Sequence, residues 1–133
     1  MTQPRTRVPT TARWADTVGY SRAVRVGDTI YVSGTIAVLP DGTIGPAGDA
    51  GGQARRCLEI IVEALAAAGA RPGDVVSTKM YVTDVGRWEE VGREHGRFFA
   101  DAKPATTMVE VAGLVSPEAL VEIEAIAVVD PEG

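Results

Sequence analysis

The chain has 133 residues, enough for one domain with its own hydrophobic core. Its formal net charge of −5 argues against nucleic acid or an anionic membrane surface as a partner, because both need a cationic footprint. One cysteine, Cys57, excludes an intrachain disulfide, and no apolar run approaches the ~18 residues of a membrane span. The N-terminal stretch lacks the apolar core of a signal peptide, so the expected location is the cytoplasm.

Residues 1–19 are polar, carry Pro4 and Pro9, and read as a mobile leader ahead of a single domain over 20–133. Two β-type runs follow, Arg22–Val26 and Thr29–Thr35, and the intervening Gly27-Asp28 is a two-residue hairpin signal. The Gly-, Pro- and Asp-rich stretch from Leu39 to Gly52 reads as an irregular loop. Ala54, Leu58, Ile61, Leu65 and Ala68 then recur at helical spacing, with Gly69 as the stop and Pro72 beyond it. Val75–Val82 is rich in β-branched residues and reads as a strand. A second helix is expected from Trp88 to Phe99, with Trp88, Val91, His95 and Phe98 on one stripe. Strands at Thr106–Val111 and Leu120–Val129 close the chain.

This β-β-α-β-α-β-β order suits an α+β fold, a mixed sheet with two helices packed on one face. Along the last strand Ala119, Val121, Ile123, Ala125, Ala127 and Val129 alternate as the helix-facing side. Leu120, Glu122, Glu124, Ile126 and Val128 form the other side, and in the neighbouring strand that side is expected to carry Thr106, Met108 and Glu110. With no element left to cover it, this half-apolar face predicts an oligomer.

Several short motifs, in order, resemble the YjgF/Rid family (reactive intermediate deaminases). Gly19-Tyr20-Ser21-Arg22-Ala23-Val24 is similar to its opening G-x-Y-S-x-A, and Tyr31-Val32-Ser33-Gly34-Thr35-Ile36 to its V-S-G-Q-I strand. Gln53-Ala54-Arg55, Ala68-Gly69 and Val75-Val76-Ser77-Thr78 resemble the central block. Phe98-Phe99, Pro104-Ala105, Val109-Glu110-Val111 and Val121-Glu122-Ile123-Glu124-Ala125 resemble the C-terminal signature. The resemblance implies a YjgF/chorismate-mutase-like fold, a homotrimeric barrel, small-molecule clefts between subunits, and hydrolysis of enamine or imine intermediates with neither metal nor organic cofactor.

It also assigns residues. Glu122 matches the cleft glutamate, able to polarise water and deliver a proton; from spacing alone it is a solvated sheet-face residue. Tyr20 matches a cleft tyrosine, or else plugs the start of the first strand. Ser33 and Gly34 resemble the strand whose backbone lines the pocket. The deaminating signature reads P-A-R-S/T, its Arg gripping a substrate carboxylate, whereas this chain has Pro104-Ala105-Thr106-Thr107 followed by Met108. A hydroxyl does not replace a guanidinium, so Thr106 departs from the family pattern; Arg22 and Arg25 are the conceivable substitute cations. Met108 is expected to narrow the pocket and make it more apolar.

His95 reads as a packed helix residue and Cys57 as a buried structural thiol, with no metal-spaced cluster, Ser-His-Asp set or phosphate loop in view. Three functions remain open: a deaminase-like hydrolase, a non-catalytic ligand-binding or regulatory trimer, and a biosynthetic condensation or cyclisation enzyme. A ribonuclease is the least fitting, given the acidic charge and the lack of a His pair.

Overall fold

The computed structural model describes residues 4–130. Its order is β1 (Arg5–Val8), the single helical turn α1 (Ala15–Val18), β2 (Ala23–Val26), β3 (Thr29–Thr35), α2 (Ala50–Ala67), β4 (Val75–Val82), α3 (Trp88–Phe99), β5 (Ala105–Glu110) and β6 (Val121–Val128). The strands form one six-stranded sheet in the order β1-β2-β3-β6-β4-β5, antiparallel except for the β4–β5 pair. The fold is α+β, as the element pattern predicts.

The β2–β3 hairpin pairs Val26 with Thr29 around Gly27, whose φ of 59° is the left-handed geometry a two-residue turn requires. The alternation on β6 holds: Ala119, Val121, Ile123, Ala125 and Ala127 are buried beneath the helices. There they meet Ala54, Cys57, Leu58, Ile61 and Leu65 of α2 in the core. Gln53, fully buried, ties the start of α2 to the start of β6. Its Nε2 donates to Pro46 O (3.0 Å) and Glu118 O (3.1 Å), and its Oε1 accepts from Leu120 N (2.9 Å).

Three differences from the sequence reading have clear causes. Residues 5–8, assigned to the leader, form an edge strand paired antiparallel with β2, because Val24 and its neighbours present an open strand edge. Helix α2 starts at Ala50, inside the expected loop: Asp49 caps it by accepting from Gly52 N at 2.9 Å. Gly51 lets α2 and α3 approach closely there, since a Cβ at that position would sit 3.3 Å from Glu90 O, tighter than ordinary contact.

The third is a correction to the open face. β5 neighbours β4, not β6, and pairs Thr106 with Thr78, Met108 with Met80 and Glu110 with Val82. Thr78, Met80 and Val82 are buried toward the helices, so Thr106, Met108 and Glu110 share that side and leave the open face. The open face instead carries Val24, Tyr31, Ile126, Val128 and Val109, of which Tyr31 is 51% and Val128 43% exposed. On α3, Val91 is buried, whereas Trp88 at the head of the expected stripe is exposed.

Candidate functional site

A cleft of about 810 Å³ opens where β2, β3 and β6 meet the segment before β2; Tyr20, Arg22, Ser33, Gly34 and Glu122 are among its lining residues. β3 makes this possible by breaking register with β6 between Val32 and Thr35, which frees the backbone at Ser33 and Gly34 from the ladder. Ser33 is then held by local bonds, its N–H donating to Arg22 O (2.9 Å) and its Oγ to Ser21 O (2.7 Å). The Glu122 carboxyl lies over Gly34, so closely that a Cβ on Gly34 would fall 2.5 Å from Oε2.

Glu122 makes no hydrogen bond or ion pair among the described residues. Burial raises its pKa above the ordinary carboxylate range, and neighbouring Glu124 adds to the rise. Arg22 opposes that shift without cancelling it. Glu124 is itself engaged, accepting a short hydrogen bond from the Tyr81 hydroxyl, which raises the tyrosine's pKa.

Sequence reasoning missed two contributors, Trp14 and Arg56, and named Arg22 only as a conceivable substitute cation. Arg22 reaches across β3 and donates from Nη2 to Gly34 O at 2.8 Å, its guanidinium 5.7 Å from the Tyr20 ring centroid. The hairpin register carries the signal for it: extending the Ala23–Val32 pairing by one residue sets Arg22 opposite Ser33. Trp14, from the stretch read as a leader, donates from Nε1 to the Tyr20 hydroxyl at 2.9 Å and lines the cleft. Arg56 of α2 lines the far wall, its Nε donating to Val38 O at 2.8 Å. Arg25, the other substitute cation considered, is already used. Its Nη1 caps the end of α2 at Ala68 O (2.8 Å) and its Nε bonds Gly27 O (2.8 Å).

Thr106, Thr107 and Met108 are not brought to this cleft within one chain, because β4 stands between β5 and β6. Thr106 Oγ1 donates to Pro104 O (3.0 Å) and bonds Thr78 Oγ1 (2.9 Å), which in turn bonds His95 Nε2 (2.8 Å). Burial lowers the His95 pKa below the ordinary imidazole value. Thr107 lies on the open face beside Lys79 and Glu124. Cys57 is buried, its Sγ donating weakly to Val121 O at 3.8 Å, and burial pushes its pKa up. No His, Cys, Asp and Glu cluster suited to a metal occurs among the described residues, and no helix there is long and apolar enough to cross a membrane.

Comparison with known proteins follows the same lines. A RutC family protein of Pyrococcus abyssi is 36% identical over 108 residues, covering 81% of this chain and 84% of its own. The crystal structure of a Mycobacterium tuberculosis member of the YjgF/YER057c/UK114 family superposes with a TM-score of 0.86 at 45% identity, over 95% of this chain and 100% of that one. Escherichia coli TdcF, solved with bound serine, superposes with a TM-score of 0.79 at 29% identity, over 98% and 99%. Residues 10–129 match the family described as Endoribonuclease L-PSP. The chain belongs to this family, the YjgF/Rid family.

Proposed function

We propose that the protein is a homotrimeric, deaminase-like hydrolase acting on the C–N double bond of a small imine, or of an enamine after tautomerisation. The observation that carries this reading is the Glu122 carboxyl, half-buried, unpaired and raised in pKa, beside Gly34 in a cleft of about 810 Å³. In the step envisaged, water oxygen bonds to the imine carbon while Glu122 takes a water proton. The same carboxyl returns that proton to nitrogen to give the carbinolamine, then relays the hydroxyl proton to nitrogen as the C–N bond breaks, and a carbonyl compound and ammonia leave. Atoms and charge balance with water as the only second reactant. Tyr20, held by Trp14, offers its ring as a platform for a planar substrate.

Tyr31, Ile126, Val128 and Val109 on the uncovered sheet face support the assembly, because they are the apolar surface a second copy would bury. In a trimer the β5 edge, with Thr106 and Met108, would be offered to the cleft of a neighbouring subunit. A buried free thiol suits a reducing cytoplasm. The bound serine in TdcF supports a small, amino-acid-like ligand.

The test is ammonia release from freshly generated 2-imino acids by wild type and Glu122→Gln, with light scattering to establish the trimer. Activity in wild type that Glu122→Gln loses while remaining trimeric supports the reading. Equal activity in the two removes Glu122 from the chemistry. A second reading, a binding trimer without turnover, is favoured by Thr106, whose hydroxyl is tied to Pro104 and Thr78 where the family's deaminating branch has an arginine. Ligand binding with no ammonia release would establish it.

A further inference from the structure

The residue at the variable position of the opening motif, Arg22, has no structural need large enough to explain where it lies. A guanidinium is stable in a half-buried position when its donors are satisfied. Arg22 uses one bond, from Nη2 to Gly34 O at 2.8 Å. Its Nε is buried with no partner, and Arg22 forms no ion pair among the described residues. Arg25, three residues farther along the same hairpin, shows the contrast: it bonds two carbonyls and lies 3.9 Å from Asp28.

We propose that Arg22 is the anion-anchoring residue of the cleft and that it takes the carboxylate of a small ligand whose nitrogen-bearing carbon then lies toward Glu122. The inference rests on the reading of this cleft as the ligand site. It puts the anchor on β2 rather than on β5, where Thr106 offers only a hydroxyl already bonded to its own chain.

Four features select the ligand chemistry. The planar guanidinium fork matches a carboxylate in two-point geometry. Arg22 and Glu122 face the same space with opposite charge, which complements a ligand that is anionic at one end and carries a basic nitrogen at the other. Beside Arg22 and Arg56 the cleft holds Asp41, Glu63 and Glu122, with Glu124 next to Glu122, so its acids outnumber its arginines and a dianionic phosphate meets more repulsion than a monocarboxylate does. The Tyr20 ring and the Ile36, Val38 and Ile60 side chains leave room for a short apolar tail.

The experiment is calorimetric binding of pyruvate and of methyl pyruvate, which differ in the carboxylate charge, to the full chain as wild type, R22Q, R22K and E122Q. Wild type should bind the acid more tightly than the ester. R22Q should lose roughly 10- to 100-fold in affinity for the acid, as expected for hydrogen bonds to a charged group, and stay within about twofold for the ester. E122Q should bind the acid at least as well as wild type, since a neighbouring negative charge is gone. Equal binding of pyruvate by wild type and R22Q, no preference for acid over ester in wild type, or no binding of either probe would overturn the proposal. Should R22Q fail to fold by circular dichroism, R22K decides: a loss confined to the acid supports the anchor, and no loss, or one shared by the ester, refutes it. Binding is read without turnover, so Arg22-dependent binding with no ammonia release would overturn the hydrolase reading alone.

Discussion

Gly34 and Glu122 occupy one another's space: a side chain on the glycine would begin 2.5 Å from Oε2 and 3.0 Å from Cδ of the glutamate. The absent Cβ is what lets the carboxyl fold down against the β3 bulge. Because the clashing atoms are the free end of a flexible side chain, Gly34→Ala is expected to fold with its melting temperature little changed. It should also swing the carboxyl away and lower ammonia release by about 10- to 100-fold, the scale of a misplaced catalytic group. Circular dichroism melts beside the activity assay check both halves.

Glu122 also makes stability depend on pH. Its folded pKa is raised above the unfolded one, so its contribution is fully present below the ordinary carboxylate pKa and is lost as pH rises through the raised value. Glu122→Gln removes a buried negative charge and should melt higher than wild type at pH 7. The two proteins should converge at about pH 3, well below the ordinary carboxylate pKa, where the carboxyl is protonated in both states. A gap of the same size at both pH values would show that titration of Glu122 is not its source.

Trp14 positions Tyr20 through the 2.9 Å bond from its indole N–H to the tyrosine hydroxyl. Trp14→Phe keeps an aromatic ring but removes that donor. KM should rise about two- to tenfold, the value of one neutral hydrogen bond, while kcat stays within about twofold. Steady-state kinetics on one imine substrate separates the two constants, and a fall in kcat alone would contradict the positioning role.

Gln53 joins α2 to the strand that carries Glu122 through three hydrogen bonds, to Pro46, Glu118 and Leu120. Gln53→Leu fills the volume but removes all three bonds, leaving Glu118 O and Leu120 N without that partner, while Pro46 O keeps its bond from Asp49 N. A loss of about 1–3 kcal/mol in urea unfolding is expected from half-buried groups that lose their partner. Cys57, by contrast, is an inert thiol held in the core. A disulfide-exchange reagent should react with it only after the protein is unfolded in urea.

Local patterning was enough for the elements and much of the core. Val75–Val82 and Trp88–Phe99 lie where composition and stripe put them, and period-two alternation on β6 named its buried side residue by residue. Those signals are intrinsic to a strand or helix, because they reflect which of its own faces is apolar. Motif order likewise marked the family, and with it Tyr20, Gly34 and Glu122, which the fold brings to one cleft.

Contacts between segments far apart in sequence followed a different logic. Whether β5 lies beside β6 or β4, and so which face Thr106 and Met108 occupy, depends on a crossover through α3 that no strand records in its own pattern. The leader's strand and Trp14 acquire their roles from an open edge on β2 and from Tyr20, both supplied by other parts of the chain. Arg22 is an ordinary surface arginine by composition. It becomes a cleft residue because hairpin register sets it beside a β3 bulge, next to a glutamate a hundred residues later. The sequence by itself determined the elements, their apolar faces and the family. Tertiary structure alone decided which charges share a cleft, because pairing partners, crossover direction and bulges are set by the packing of the whole sheet.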